Sequence, residues 1–460
     1  MPATPAPFDV AIVGAGIAGL TTAFLLRERG LRPVVLEASG RAGGAISTLI
    51  AGGFLVERGP NTVLATHPEV GRLLDLAGLS HERIAASPTA SKRFVVRNGT
   101  PIALPTSPGG FVHTPLFSTR AKLRLFAEPF IGRAPADSDE TVAAFVVRRL
   151  GREFLDYAID PFVSGVYAGR PERLAVRHAF PRLHEVEQRW GSLLVGQVRG
   201  AKERKARADV AKTEAGMFSL RGGLETLPLR LAERLGDDVR LSTPVLRLTT
   251  HGSLFSVETP AGPVTAKTLV LASGVRDATL YAGLGVDPAP FAGVDHPPLA
   301  VCAFGFRRED VAHPLDGFGL LVPRVEGRRI LGALFPSSLF EGRAPEGHVL
   351  LTAFAGGARQ PDVAGLDDDA LRGAVLADLR DLVGVRGEPV FEHIARWPAS
   401  IPQYDTAYGR VKATMDRMEE THPGLFFAGN SRSGISVPDT IRHAFVTADR
   451  VAAHLTSHTS

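Results

Sequence analysis

A chain of 460 residues, 44% hydrophobic and 22% charged, is long enough for two or three domains and for burying a large ligand. Its 52 Lys+Arg against 48 Asp+Glu leave a formal charge of +4, too small an excess for a nucleic-acid binder, though it suits an anionic ligand or membrane surface. The single cysteine, Cys302, excludes an intrachain disulfide and cysteine-rich metal or iron–sulfur sites.

Residues 1–7 carry neither a basic n-region nor an apolar h-region, so no signal peptide is expected. No apolar run reaches the ~18 residues of a spanning helix, so the expectation is a cytoplasmic protein with at most peripheral membrane contact. Residues 8–14 read as a buried parallel strand, 17–29 as a helix stopped by Gly30, and 33–37 as a second strand. Together they form a βαβ unit. A glycine-rich stretch, 40–46, and an alternating segment, 54–61, follow. From 67 to 210 the texture is helical, with apolar residues at three and four spacing over 68–76, 120–130, 141–150 and 154–162. The basic run 202–212 reads as a solvated face or loop. A helix over 225–235 precedes strands at 239–241, 245–249, 254–259 and 264–273, the last ending at Gly274. Residues 299–357 are strand-rich, with Cys302 in a buried strand. A helix over 367–383, a strand from 426 and a helix over 439–455 complete the chain.

The nucleotide-binding texture thus returns three times, and no internal repeat is visible. The division expected is a nucleotide-binding domain in three pieces (1–85, 211–290 and 396–460), a helical domain at 86–210 and a substrate-binding domain at 291–395. Gly14, Gly16 and Gly19 match G-x-G-x-x-G between strand and helix, where N–H groups and the helix dipole favour a diphosphate. Glu37, ending the second strand, would accept hydrogen bonds from both ribose hydroxyls and repel a 2′-phosphate, which disfavours NADP. His178 and His184, six apart in one helix, do not face each other as metal ligands would. No Ser–His–Asp set or carboxylate pair is apparent, and no metal site is expected.

Glu37, Arg41, Gly43 and Gly44 form E-x-x-x-R-x-G-G, which resembles a segment of the flavin amine oxidase superfamily. Residues 427–430 followed by Gly434, Ile435, Ser436, Val437 and Asp439 resemble its C-terminal flavin segment. The resemblance implies an α/β fold. A discontinuous Rossmann-like FAD domain would carry an inserted helical domain and an α+β substrate domain. It also implies non-covalent FAD, since Cys302 lies far from both motifs. The cofactor residues it implies are Gly14, Ala15, Gly16, Ile17, Ala18 and Gly19; Glu37, Ala38, Arg41, Gly43, Gly44 and Ala45; Gly59, Pro60, Asn61 and Thr62; Val245 and Trp397; and Gly429, Gly434, Ile435, Ser436, Val437 and Asp439. For Asp439, capping of the last helix is the favoured role.

Segments 92–105, 162–169, 317–323, 337–340 and 396–404 resemble, in order along nearly the whole chain, the oxygen-dependent protoporphyrinogen oxidases and the related bacterial coproporphyrinogen III oxidases. This implies an oxidoreductase acting on CH–CH groups with O2 as acceptor. Arg93 would pair with a propionate, Gly169 would admit a flat macrocycle, and Leu321 and Phe340 would flank its rings. No side chain is implied as catalytic: a meso carbon gives hydride to flavin N5, and three rounds remove six electrons, each reduced flavin passing two to O2 to give H2O2. Segments 92–105 and 337–340 look like the protoporphyrinogen versions, with coproporphyrinogen III as the alternative substrate. An amine oxidase or carotenoid desaturase, or a binding protein without turnover, are the other readings. Residues 88–210 match the family's membrane-facing part, with 115–117 and 126–131 as candidate contact apolars. A homodimer is a further candidate assembly.

Overall fold

In the computed structural model, which describes residues 6–207, 216–276 and 278–457, the strand Phe8–Val13 lies at the centre of a seven-stranded sheet. It pairs in parallel with Pro33–Leu36 on one side and Gly262–Leu271 on the other. Its second half, covered on both faces, is apolar, and Val10–Val13 are buried. Val239–Arg240 extends the sheet beyond Pro33–Leu36, and Leu425–Phe427 pairs in parallel with Gly262–Leu271. Leu254–Thr259 and Arg247–His251 add an antiparallel edge. Pro260 and Ala261 form a two-residue turn there, and Gly262 has φ +109°. The sheet therefore draws strands from three separated stretches of chain. The helix Ile17–Arg27 has ten of its eleven residues buried because it is wedged between this sheet, the helix Thr226–Leu235 and the last helix, Val437–Ser457.

A second seven-stranded sheet runs in the order Phe391–Trp397, Leu299–Arg307, His348–Gly356, Ile330–Leu334, Gly317–Leu321, Lys92–Arg97, Thr100–Ala103. Its pairings are antiparallel except that Gly317–Leu321 and Lys92–Arg97 run parallel. Cys302, Phe304 and Phe306 share one core with Val375 and Leu379 of the helix Asp368–Val383. Burial pushes the Cys302 thiol up to about 12, so it stays protonated and packs as a small apolar group. The hairpin Lys92–Ala103, embedded in an otherwise helical stretch of sequence, joins this sheet rather than the helices.

The helical region departs from the periodicity reading in several places. The helix expected over 120–130 ends at Phe126, and Glu128–Phe130 tightens into a 3-10 turn around Pro129. The helix expected over 154–162 is interrupted by a π turn at Leu155–Ile159 before Asp160–Tyr167. His178 and His184 do not share a helix: they lie in Val176–Ala179 and Pro181–Trp190, broken at Phe180 because Pro181 disfavours a helical residue before it. The second half of the basic run 202–212 lies outside the described residues. Strand 245–249 is shifted to Arg247–His251, leaving Val245 in the irregular segment before it. Segment 54–61 does not alternate: Phe54–Glu57 is buried at all four positions, including the carboxylate. Arg149, Glu128 and Glu187 form a charged core with no measurable exposure of Arg149 or Glu128. Arg149 donates to Glu187 (2.6 Å), Glu128 (3.1 Å) and the Ile131 carbonyl (3.0 Å).

Candidate cofactor and active site

The parallel strands of the first sheet end at one level, with Val13 opposite Leu36 and Leu271, and Leu271 opposite Phe427. Beyond them the chain turns at Gly14, Glu37, Ser273 and Gly429, opening the crevice expected at carboxyl strand ends. Each glycine of the first turn has its own reason. Gly14 has φ +104°, and a Cβ would lie 3.0 Å from the Ser273 nitrogen. At Gly19 a Cβ would collide with the Gly14 carbonyl oxygen. At Gly16 a Cβ would meet nothing within 4 Å, so no protein neighbour demands its smallness. Its open side is the space a diphosphate would fill at the start of Ile17–Arg27, where Ile17 and Ala18 supply backbone N–H groups.

A second glycine loop closes on the first. The Gly43 nitrogen donates to the Ala15 carbonyl (2.8 Å), and a Cβ on Gly44 would lie 3.1 Å from the Gly16 Cα. Arg41, rather than standing free toward an anion, donates to the carbonyls of Ala42 and Ile46 (3.3 Å each) and to Glu225 (3.3 Å). It braces the loop that carries Gly43, Gly44 and Ala45. Glu37 is held on both sides: one oxygen accepts from the Ala15 nitrogen (2.8 Å), the other from the Ser39 nitrogen (2.9 Å) and hydroxyl (2.8 Å). Ala38, between them, is exposed. The Thr243 nitrogen donates to the Glu37 carbonyl (2.7 Å), which brings Val245 to the same end of the crevice.

Gly59 packs so tightly on the Ala45 carbonyl that no side chain would fit. Pro60, Asn61 and Thr62 follow, and the Asn61 amide donates to the Gly59 carbonyl (2.9 Å). The Trp397 indole donates to the Arg58 carbonyl (2.7 Å), joining the edge of the second sheet to this segment. At the far end Gly434, with φ +119°, and Ile435 lead into the last helix. The Ser436 hydroxyl donates to Asp439 (2.5 Å) and accepts from the Asp439 nitrogen (3.2 Å), a reciprocal cap for a 21-residue helix starting at Val437. His67 meets the other Asp439 oxygen at 2.9 Å.

Arg93 and Phe340 are linked through Phe318, whereas Leu321 packs against Gly165 and Gly169 against Gln403. Arg93 lies opposite Gly319, with its guanidinium 5.9 Å from the ring of Phe318. Phe318 packs with the cluster containing Leu339 and Phe340. From the other side, a Cβ on Gly165 would lie 2.7 Å from Leu321, and one on Gly169 would run into the Gln403 side chain. Gln403 donates to the Tyr167 carbonyl (2.8 Å) and holds a turn in which Ala168 has φ +49°. Phe340, Asn61 and Thr62 line one small cavity, no larger than a water molecule needs, shared with Glu57 and Arg343. Burial pushes the Glu57 carboxyl up to about 6, against hydrogen bonds from the Thr48 hydroxyl (2.7 Å) and the Leu224 nitrogen (2.8 Å).

Of the proposed membrane-contact apolars, Leu116 and Phe117 are core residues, with Phe117 stacked on Phe154 at 4.4 Å. Phe126 and Phe130 are 70% and 89% exposed. Residues that sequence reasoning missed are Glu57, His67, Arg343 and Gln403. Glu57 and Arg343 carried no signal beyond proximity to Gly59 and Phe340, Gln403 lay in the family-like segment 396–404 without being singled out, and His67 carried none.

The crevice fits FAD on structural grounds: the open face of Gly16, the braced carboxylate of Glu37 and the capped helix end at Val437. The Ser431 hydroxyl, buried just past Gly429 and without a hydrogen-bond partner among the described residues, adds a polar group for a ligand to satisfy. Residues 17–455 match the model of the flavin containing amine oxidoreductase family. The chain is 36% identical to protoporphyrinogen oxidase 2, chloroplastic/mitochondrial, of Arabidopsis thaliana, covering 97% of this chain and 94% of that protein. It is 29% identical to coproporphyrinogen III oxidase of Bacillus subtilis, covering 94% and 95%. A solved structure from Exiguobacterium sp. 255-15, provisionally described as a protoporphyrinogen oxidase, superposes with a TM-score of 0.82 at 25% identity, over 97% of this chain and 98% of that one. The chain belongs to the flavin containing amine oxidoreductase family and is an oxidoreductase with FAD as its cofactor.

Proposed function

We propose that the chain oxidises protoporphyrinogen IX to protoporphyrin IX in haem biosynthesis, removing six electrons and reducing three O2 to three H2O2. The observation that carries this reading is the contact of Arg93 with Phe318, packed in turn with Phe340, which lies beside Asn61 and Thr62. It occurs in a chain whose likeness to a plant protoporphyrinogen oxidase runs nearly end to end. FAD, when bound, supplies the electron acceptor for a meso carbon. The chain's own residues bind and orient. The Arg93 fork pairs with a propionate, and Leu321 and Phe340 flank the macrocycle; the small size of Gly169 serves the close packing of Gln403 instead, which leaves no room there for the ring. The buried surround at Phe340 excludes water.

Coproporphyrinogen III is the second reading, favoured by the Bacillus subtilis relative. Parallel aerobic assays of porphyrin fluorescence on both substrates separate the two. Faster turnover of protoporphyrinogen supports the first reading, and the reverse preference replaces it.

The same reading takes in a cytoplasmic location, a homodimeric assembly and peripheral contact with an anionic membrane. For the contact, Val112, Leu123, Phe126 and Phe130 are exposed apolar side chains on neighbouring turns, interleaved with Arg120, Lys122 and Arg124. No helix among the described residues is long and apolar enough to cross a membrane. Co-sedimentation with anionic vesicles, lost in Phe126→Ser/Phe130→Ser, supports the contact; no binding by the wild type removes it.

A further inference from the structure

Arg343 is 1% exposed, yet it forms no ion pair among the described residues. Burial pushes its guanidinium below its ordinary value, and Glu57, across the same cavity, is the charge that opposes this. A buried charge without a close counter-ion is costly, and an apolar side chain would fill the space more cheaply. What the guanidinium gains is geometry. One nitrogen donates to the Ser219 hydroxyl (2.6 Å) and the Leu220 carbonyl (3.1 Å). Those residues end the strand Met217–Leu220, which pairs with Val63–Leu64, the strand directly after Asn61 and Thr62. The Arg343 carbonyl accepts from the Leu55 nitrogen (3.2 Å), in the strand that leads into Asn61 from the other direction. Arg343 thus grips the chain on both sides of Asn61–Thr62. Its guanidinium also lies 5.4 Å from the ring of Phe340. The second terminal nitrogen is buried without a partner, in a side chain that lines the cavity bounded by Phe340, Asn61 and Thr62.

We propose that Arg343 is a positioning residue that sets the spacing between Phe340, on the substrate wall, and Asn61–Thr62, at the cofactor side, without touching either ligand. The inference rests on the proposed role of Phe340 in binding the macrocycle. Both hydrogen bonds leave one nitrogen, so what lysine cannot reproduce is a planar guanidinium laid against the Phe340 ring while that nitrogen stays bonded.

The test uses the FAD-loaded protein with 4-fluorophenylalanine at position 340, in wild-type, Arg343→Lys and Arg343→Met backgrounds. The 19F resonance is expected to shift and broaden in both variants, with FAD content and absorption spectrum unchanged. KM for the porphyrinogen is expected to rise about tenfold with kcat within about twofold. In a Phe340→Leu background, Arg343→Met is expected to change KM by less than about twofold further, because the two act through one contact. An unchanged 19F line, a wild-type KM in Arg343→Lys, or independent multiplication of the Arg343→Met and Phe340→Leu effects would overturn the proposal. Should the wild type turn over no tetrapyrrole, the proposed function fails by itself. The 19F line still decides whether Arg343 holds Phe340, supporting the positioning if it shifts and overturning it if it does not.

Discussion

Three glycines in one turn answer to different demands, and substituting them separates folding from cofactor binding. A side chain at Gly19 collides with the Gly14 carbonyl, so Gly19→Val is expected to disrupt the strand–helix unit itself. Gly16 has no protein neighbour to offend. Gly16→Val is expected to leave thermal unfolding of the cofactor-free protein within about 1 kcal/mol of wild type while weakening FAD binding at least tenfold, as fluorescence titration would read. Equal loss of stability in both variants would contradict this assignment. Glu57 gives a pH signature. Its carboxyl titrates near 6 when folded, against an ordinary 4.5, so between these values the folded protein keeps a proton that the unfolded chain has released. Stability from this group is fully present below pH 4.5 and falls by about 2 kcal/mol as pH rises through 6. Urea unfolding at pH 4.5 and 7 should show that drop in wild type and its absence in Glu57→Gln; identical slopes would count against it. Glycine roles were legible at this scale because the motif fixes their spacing. Glu57 was not: a glutamate ending an apolar run looks like the solvent-facing member of an alternating strand, and it is buried by Thr48, opposite it in the neighbouring hairpin strand, and by Leu224 from a distant segment.

Among the elements, periodicity finds helices that stand on one amphipathic face and misses those shaped by local breakers. The helix Pro68–Leu76 agrees with its periodicity to the residue, and Asp367 caps Asp368–Val383 by accepting from the Ala370 nitrogen (2.8 Å), as its position before an apolar run suggests. The π turn at Leu155–Ile159 and the break at Phe180 escape because three-and-four spacing persists through both. The charged core of the helical region is equally hidden, since adjacent arginines in a helix suggest a wet face. Arg149 is instead sealed between Glu187 and Glu128, and Glu128 also accepts from the Ser192 hydroxyl (2.5 Å) and the Leu193 nitrogen (2.9 Å). Removing one partner of a buried pair leaves an uncompensated charge. Arg149→Met is therefore expected to cost about 3–5 kcal/mol in chemical denaturation and to loosen the helices first in hydrogen exchange. A loss under about 1 kcal/mol would show that water reaches these carboxylates.

At the scale of the whole molecule, the sequence made the discontinuity legible: apolar strands ending in glycine turns recur at 8–14, 264–274 and 426–429, and all three join one sheet. It could not show how the second sheet meets the first. The hairpin Lys92–Ala103 leaves a helical stretch to pair with Gly317–Leu321, and Trp397 and Arg343 tie that sheet to the segment around Asn61. These are contacts between residues more than a hundred positions apart, and no local pattern encodes them. They bring Phe340 beside Asn61 and Thr62, on which the proposed function depends.

That reading is tested most directly by stoichiometry. Purified, FAD-loaded protein would be given protoporphyrinogen IX in air-saturated buffer, with porphyrin fluorescence and H2O2 measured together. The account predicts three H2O2 per protoporphyrin formed, and a KM raised about tenfold in Arg93→Ala. Bound FAD with no porphyrin formed, or porphyrin without H2O2, would contradict it.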